Sequence, residues 1–508
     1  MKGELTGVPP LELDCSLLAL PVFEEELADP KKGLLGEIDR RLGGHLSAAA
    51  SDEEFQGKPD QSLLLHGLGR LGAARLMLLG LGPRERAVQE FPRFGFEPLR
   101  LAAGKAARAA QKVGAARLGL GSPRLTGVWA TATRALVEGA LLGAYRFDRY
   151  KSEKKKAAPQ ALVLSVAPGQ ERSREVREAA ELARAVAAAS AWARDLVNEP
   201  PLACTPSRLA QEARNLAKEA GLACEVRGPR EIAALRMGMF LGVTRGSAEE
   251  PRLIRLSWVP KGPAARKPPL LIVGKAITFD SGGLSLKPTE SMVDMKTDMA
   301  GSAAALGAMR VVAMLKPPFP VHALVGACEN MPGGRAYKPS DVLTACNGKT
   351  VEITNTDAEG RLVLGDVLAW GVSTLRPAAA IDLATLTGSC VVALGPTTAG
   401  AFGPDGKVMQ GVLAAARAAG EDVWRMPLTE TLKEQLKSEV ADLKNAGERW
   451  GGAISAAWFL KEFVGETPWV HLDIAGPAST SKERGYLAKG ATGAGIRTLV
   501  EFVRAWQG

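Results

Sequence analysis

Leu270-Leu-Ile-Val-Gly-Lys275-Ala-Ile-Thr-Phe-Asp280-Ser-Gly-Gly-Leu-Ser-Leu-Lys287-Pro288 begins as an apolar run and ends in charge. Residues 270–274 have the length and composition of a buried strand. Such a strand does not lead into a lysine and an aspartate without a reason, because an unpaired charge is costly away from water. Strand-like runs recur downstream at VHALVGA (321–327), VEIT (351–354), AAAIDLATL (378–386) and WVHLDI (469–474), separated by helix-like sequence. Upstream, LACEV (222–226) follows a helix opened by Thr205 and Pro206 and closed by Gly221. The alternation predicts an α/β fold with a mostly parallel central sheet flanked by helices. In such sheets ligands sit beyond the carboxyl ends of the strands.

Before this region, Leu182, Val186, Ala189, Ala193 and Leu196 repeat at spacings of four and three, one apolar face of a connecting helix over 171–199. Two prolines in Asn198-Glu-Pro-Pro201 stop it. The helix joins a smaller N-terminal α/β domain, 1–170, with runs SLLLH (62–66), RLMLLGLG (75–82) and ALVLSV (161–166), to a larger C-terminal α/β domain, 200–508. A chain of 508 residues exceeds what one core usually organises, so two domains are expected. The charge run Tyr150–Lys156 reads as an exposed loop. Hydrophobic residues at 46% and charged residues at 23% describe a globular chain. The start carries Glu4, Glu12 and Asp14 where a secretory signal needs a basic and then apolar segment. No run reaches the roughly 18 apolar residues of a membrane span, and the six cysteines are scattered without a CxxC pair. The expectation is a cytoplasmic protein with no membrane attachment.

Several signals fail on context. Gly67-Leu-Gly-Arg-Leu-Gly72 matches G-x-G-x-x-G but leaves no room for a crossover helix before the next apolar run, so it reads as a hairpin turn. Gly348-Lys-Thr350 lacks the first glycine of a P-loop, position 343 being Leu. There is no G-x-S-x-G elbow. His45, His66, His322 and His471 show no zinc-ligand spacing, and the last two, lying in strand-like runs, read as core residues. The net charge of +9 arises from 64 basic and 55 acidic residues spread along the chain, so DNA binding stands only as a secondary alternative.

The polar residues between 274 and 361 are of another kind. Asp298 stands at the start of a helix, Ala300–Lys316, whose only charges are Arg310 and Lys316 and which therefore reads as buried nearly all round. Asp357 and Glu359, after the strand-like VEITNT, would face the same way in an extended chain. Asp280, Asp298, Asp357 and Glu359 thus fall at or beyond strand ends and converge only if cations offset them. Two divalent metal ions do this most directly. Oxygen-rich ligands suit Mg2+ or Mn2+, and Zn2+ is compatible. Such a pair polarises a carbonyl and generates hydroxide near neutral pH, chemistry that would serve a peptidase or a phosphate-ester hydrolase alike.

Asn355-Thr-Asp-Ala-Glu-Gly-Arg361, together with the segments at 274–288, 295–299 (Met-Lys-Thr-Asp-Met) and 384–388 (Ala-Thr-Leu-Thr-Gly), resembles the signatures of the cytosolic leucine aminopeptidase family in residues and in spacing. The similarity extends over 200–508. It implies an enzyme that removes leucine and other apolar residues from the N-terminus of peptide substrates, with two divalent ions, Mn2+ or Zn2+, in each subunit. By the same resemblance Asp280 and Glu359 bridge the ions, Asp357 completes the looser site, and Lys275, as a neutral amine, completes the tighter one with Asp298. Lys287 would stabilise the oxyanion of the tetrahedral intermediate, and Arg361 would hold a bicarbonate ion as general base. Met295 would line the pocket for the first side chain, while Asn355, Thr385, Leu386 and Gly388 would contact the substrate backbone. A free α-amino group would ligate one ion, which accounts for exopeptidase action. Lys275 and the unaltered Asn355–Arg361 signature argue against the phosphatase reading. The family further implies a homohexamer, for which the sequence carries no separate mark.

Overall fold

A computed structural model describes residues 1–28, 32–90, 95–123, 125, 127–153 and 157–507. The chain forms two compact units, Met1–Ala188 with Ser481–Lys489, and Ala189–Thr480 with Gly490–Gly508. The division falls inside the helix Arg174–Asn198. It differs from boundaries at 170 and 200, and it gives the excursion 481–489 to the first unit. There Gly104 makes room for the excursion, since an added Cβ would lie 2.6 Å from the Tyr486 Cβ.

The first unit is built on a six-stranded sheet of β1 (Lys2–Thr6), β2 (Leu17–Val22), β3 (Ser62–His66), β4 (Arg75–Gly80), β5 (Arg117–Gly121) and β6 (Ala161–Ser165). Their order is β1-β6-β5-β2-β4-β3, and every pair is parallel except β3 with β4. Alternation along β2 sends Leu17 and Ala19 into one core with the helices Glu97–Val113 and Trp129–Gly143, and Leu18 and Leu20 into another with Leu35, Ile38 and Leu46. A sheet covered on both faces explains why these strands read as unbroken apolar runs. Gly67–Gly72 lies in the β3–β4 hairpin, where the Gly67 N–H donates to Ala74 O. The glycines therefore serve a turn. Of the charge run at 150–156, residues 150–153 are exposed and Lys154–Lys156 lie outside the described residues.

The second unit carries an eight-stranded sheet. Its members are β7 (Ala223–Arg227), β8 (Arg252–Trp258), β9 (Leu270–Asp280) and β10 (Val321–Asn330), followed after two short strands, β11 (Val342–Thr344) and β12 (Thr350–Glu352), by β13 (Ala379–Ala384), β14 (Ala399–Phe402) and β15 (Val423–Arg425), and, beyond the short β16 (Leu443–Lys444), by β17 (Trp469–Asp473). The order is β15-β14-β17-β13-β9-β10-β8-β7. The centre, β17-β13-β9-β10, is parallel, and antiparallel pairs border it on both sides. The VEIT run does not join this sheet. β12 pairs with β11 and β16 in a separate three-stranded sheet, a correction to the expectation that the acidic pair follows a strand of the main sheet. Only Val351 and Glu352 of that run are extended, too few to span the central layer.

The helix Ala300–Leu315 packs under β9 and is buried nearly all round. The stretch Thr289–Leu315 is long and apolar enough by composition to cross a bilayer, but most of it lies inside the unit, the position of a core helix. His322 and His471 are both buried. Burial pushes His322 down to about 4, and its Nδ1 lies 2.8 Å from Ser257 Oγ. For His471 burial acts downward, but Asp382, whose Oδ1 lies 2.6 Å from Nδ1, raises it overall.

Candidate active site

β9 and β10 run in parallel with Asp280 opposite Asn330, so the polar ends of two apolar strands leave the sheet together. Asn330 Nδ2 donates to Asp280 Oδ1 at 2.8 Å, and the Gly282 N–H donates to the same oxygen at 2.8 Å. Gly282, at φ +87°, then turns the chain so that Lys287 returns over the strand end. Lys287 Nζ lies 2.8 Å from Asp280 Oδ2 and 2.5 Å from Asp357 Oδ1.

Lys275 sits within β9, 4% exposed. Its Nζ lies 2.7 Å from Asp298 Oδ2 and 3.0 Å from Glu359 Oε1, and it donates to Thr385 O at 3.0 Å. Gly360 follows Glu359 because nothing larger fits: an added Cβ would stand 2.2 Å from Lys275 Cε. Asp298 does not cap the helix Ala300–Leu315. It ends the 3-10 turn Met295–Thr297, and its Oδ1 accepts from Thr385 Oγ1 at 2.8 Å.

Asp357 and Glu359 converge, but not by alternation along an extended chain. The segment turns: Asn355 Oδ1 accepts from the Asp357 N–H at 2.8 Å, and Glu359 already has helical φ and ψ at the head of Gly360–Leu375. Carboxylate oxygens of Asp280, Asp357 and Glu359 lie within 4.8 Å of one another. Asp298 meets this trio through the Lys275 ammonium.

Electrostatics set the protonation states. For Lys275 burial acts downward, yet Asp298, Glu359 and Asp280 outweigh it and raise the ammonium above the usual lysine range. Lys287 follows the same pattern, with Asp280, Glu359 and Asp357 prevailing over burial. Burial raises Asp298, Asp357 and Glu359 above the ordinary carboxylate range. Burial also lowers Arg361 to about 10, which leaves it charged at neutral pH. Arg361 Nη1 donates to Asn445 O at 2.9 Å, and its buried Nε has no protein acceptor.

The donor set fits divalent cations. Four carboxylates face two ammonium groups, so acidity is in excess. Glu359 Oε2 is buried without any donor, and Asp298 Oδ2 and Asp357 Oδ1 meet their lysines as ion pairs outside hydrogen-bond alignment. Buried oxygens with unused lone pairs beside an amine nitrogen are hard and borderline ligands, suited to Mn2+, Mg2+ or Zn2+.

The remaining expected site residues are less drawn together. Thr385 touches both Lys275 and Asp298. Met295 is half-buried in the turn before Asp298. Leu386 packs its side chain on the main core of the unit, and Gly388 is exposed with open space where a Cβ would be. Three buried residues escaped the sequence reading. Asn330 was within reach of it, as a polar end to an apolar strand beside Asp280. Asp473 ends β17 in the same way; it accepts from the Leu386 N–H at 3.2 Å and from Thr387 Oγ1 at 2.7 Å. Asn445, in a short segment without periodicity, gave no local signal.

Comparisons with known proteins cover both units. The catalytic-domain profile of the cytosol aminopeptidase family matches residues 191–500, and its N-terminal-domain profile matches 19–154. A protein of Geobacter sp. strain M21 named "Probable cytosol aminopeptidase" is 44% identical, over 99% of this chain and all of that one. One of the same name from Acidobacterium capsulatum is 41% identical over the full length of both. Among solved structures, a mutant of tomato leucine aminopeptidase superposes with a TM-score of 0.89 at 36% identity, over 99% of this chain and 96% of that one. The bottromycin maturation enzyme BotP in complex with Mn gives 0.82 at 35%, over 96% and 99%. Kinship that spans both units at this level of identity makes the chain a member of the cytosol aminopeptidase family.

Proposed function

We propose that the protein hydrolyses the N-terminal residue, leucine and other apolar residues preferred, from peptides, with two divalent ions held by Asp280, Asp298, Asp357, Glu359 and Lys275. The observation that carries this reading is the trio of carboxylates with oxygens within 4.8 Å, beside buried oxygens that no protein donor satisfies. When bound, such ions supply Lewis-acid polarisation of the scissile carbonyl and acidify a water toward neutral pH.

The protein's own groups do the rest. Asp280, paired with Lys287, and Glu359, paired with Lys275, are the carboxylates that would be shared between the ions. Lys275 would act as a ligand only as the neutral amine, and so would have to give up the proton that its neighbouring carboxylates hold. Lys287, part-exposed and charged, is the group to receive the developing oxyanion, a task for a positioned ammonium. Arg361, with a buried N–H lacking a protein acceptor, is the residue to hold bicarbonate as general base. Met295 borders the first side chain, and Asn355, Thr385, Leu386 and Gly388 meet the substrate backbone. A homohexamer in the cytoplasm is the proposed setting, on kinship alone.

The test is metal analysis of the purified protein with hydrolysis of leucine p-nitroanilide before and after chelation. Two ions per chain, lost and regained together with activity, are expected. Hydrolysis that survives exhaustive chelation, or turnover of p-nitrophenyl phosphate in its place, rejects the reading.

A further inference from the structure

β12 and β16 pair in parallel for two residues, Val351 with Leu443 and Glu352 with Lys444, and the Asn445 N–H extends the ladder to Glu352 O at 2.9 Å. The chain after Glu352 then turns away to form the acidic loop and offers no further strand to pair. The Asn445 side chain takes the place of that strand. Its Oδ1 accepts from the Thr354 N–H at 2.8 Å and the Asn355 N–H at 3.3 Å. Its Nδ2 donates to Asn355 O at 2.6 Å and Ala358 O at 3.4 Å. Its own carbonyl accepts from Arg361 Nη1 at 2.9 Å. The residue is fully buried, so water cannot stand in for any of these bonds.

We propose that Asn445 is a positioning residue that fixes the loop bearing Asp357 and Glu359, and Arg361 with it, in the arrangement the ions require. It touches neither reacting atoms nor the four carboxylates, and it acts through the backbone on either side of them. Only a side-chain amide meets the demand for an acceptor and a donor in one plane. Aspartate lacks the donor and would face two carbonyl oxygens. The inference rests on the metal reading above, because what it positions is a ligand set. Groups one step behind metal ligands change affinity or activity by about 10–100-fold when removed.

The experiment compares the wild type with N445A, N445D and T350V. Mn2+ affinity of the chelated proteins is measured by calorimetry, together with kcat, KM and melting temperature. Thr350 binds Asp442 at the other end of the same small sheet and does not touch the acidic loop, so T350V reports what destabilising the sheet alone does. N445A should bind Mn2+ about 10–100-fold more weakly and lose kcat to a similar degree, with KM within about threefold. T350V should lower the melting temperature and leave affinity and kcat unchanged. If N445A does not fold, N445D carries the test, since it keeps the size and the oxygen facing Thr354, and it should show the same loss of affinity. Wild-type affinity in a folded Asn445 variant, or an equal loss in T350V, overturns the proposal. A wild type that binds no divalent ion removes instead the metal reading beneath it.

Discussion

Lys275 and Lys287 each hold an ammonium group between two carboxylates, in surroundings closed to different degrees. Lys275 is sealed beneath Gly360, its partners Asp298 and Glu359 are buried with it, and a third bond to Thr385 O removes its remaining freedom. Lys287 comes from a glycine-turned loop, and Asp357 beside it is one-third exposed. In the closed half, charge balance has no help from water, so each member depends on the others. In the more open half Asp280 is buried as well, but water reaches Asp357 and shares part of the load. A ligand needs the first setting. A group that meets charge only as it develops needs the second.

The contrast is tested hardest by removing one lysine at a time. Lys275→Met in chelated protein should lose about 3–5 kcal/mol in urea denaturation, the range for breaking a buried pair. Protonation of Asp298 or Glu359, both already raised by burial, limits that loss. Lys287→Met should lose less, about 1–3 kcal/mol, because Asp280 is buried but Asp357 is one-third exposed. Equal losses would erase the distinction between the halves.

Part of the site was legible before the fold was known. β9 could be read from its apolar run, and Lys275 and Asp280 stood out because charge there contradicts burial. The convergence of Asp357 and Glu359 was anticipated by a route the chain does not take. An extended strand was expected, whereas Asn355 and Asn445 bend the segment into a turn. That turn was illegible because its partner, Asn445, lies about ninety residues away, just after a strand of two residues too short to leave a pattern. Likewise, nothing in composition or periodicity sets the excursion 481–489 apart from the second unit. Long apolar elements declare themselves locally; single side chains that replace a strand do not.

Lys287→Gln sharpens the comparison from the catalytic side. If the open lysine acts on the transition state, kcat should fall about 10²–10³-fold. KM should stay within about threefold, and the melting temperature should fall less than in Lys275→Met, since Asp280 is buried but Asp357 is one-third exposed. A matched rise in KM with kcat preserved would make Lys287 a substrate-binding group. A large loss of stability would mean that it belongs with Lys275 after all.

The smallest effect, a departure from additivity, tests whether the closed half extends beyond its own ion pairs. Thr387 Oγ1 donates to Asp473 Oδ2, and the loop it anchors brings Thr385 to both Lys275 and Asp298. Thr387→Val removes that bond and the helix cap that accepts from the Cys390 N–H, and chelated protein should lose about 2–3 kcal/mol. Because the loop touches Lys275 and not Lys287, the two lysines should respond differently in combination. Paired with Lys287→Met, the stability losses should add within about 0.5 kcal/mol; paired with Lys275→Met, they should fall short of the sum, since the loop has by then lost the ammonium it was holding. Additivity in both pairings would confine the closed half to Lys275 and its two carboxylates, and the loop after β13 would then be tied to Asp473 alone.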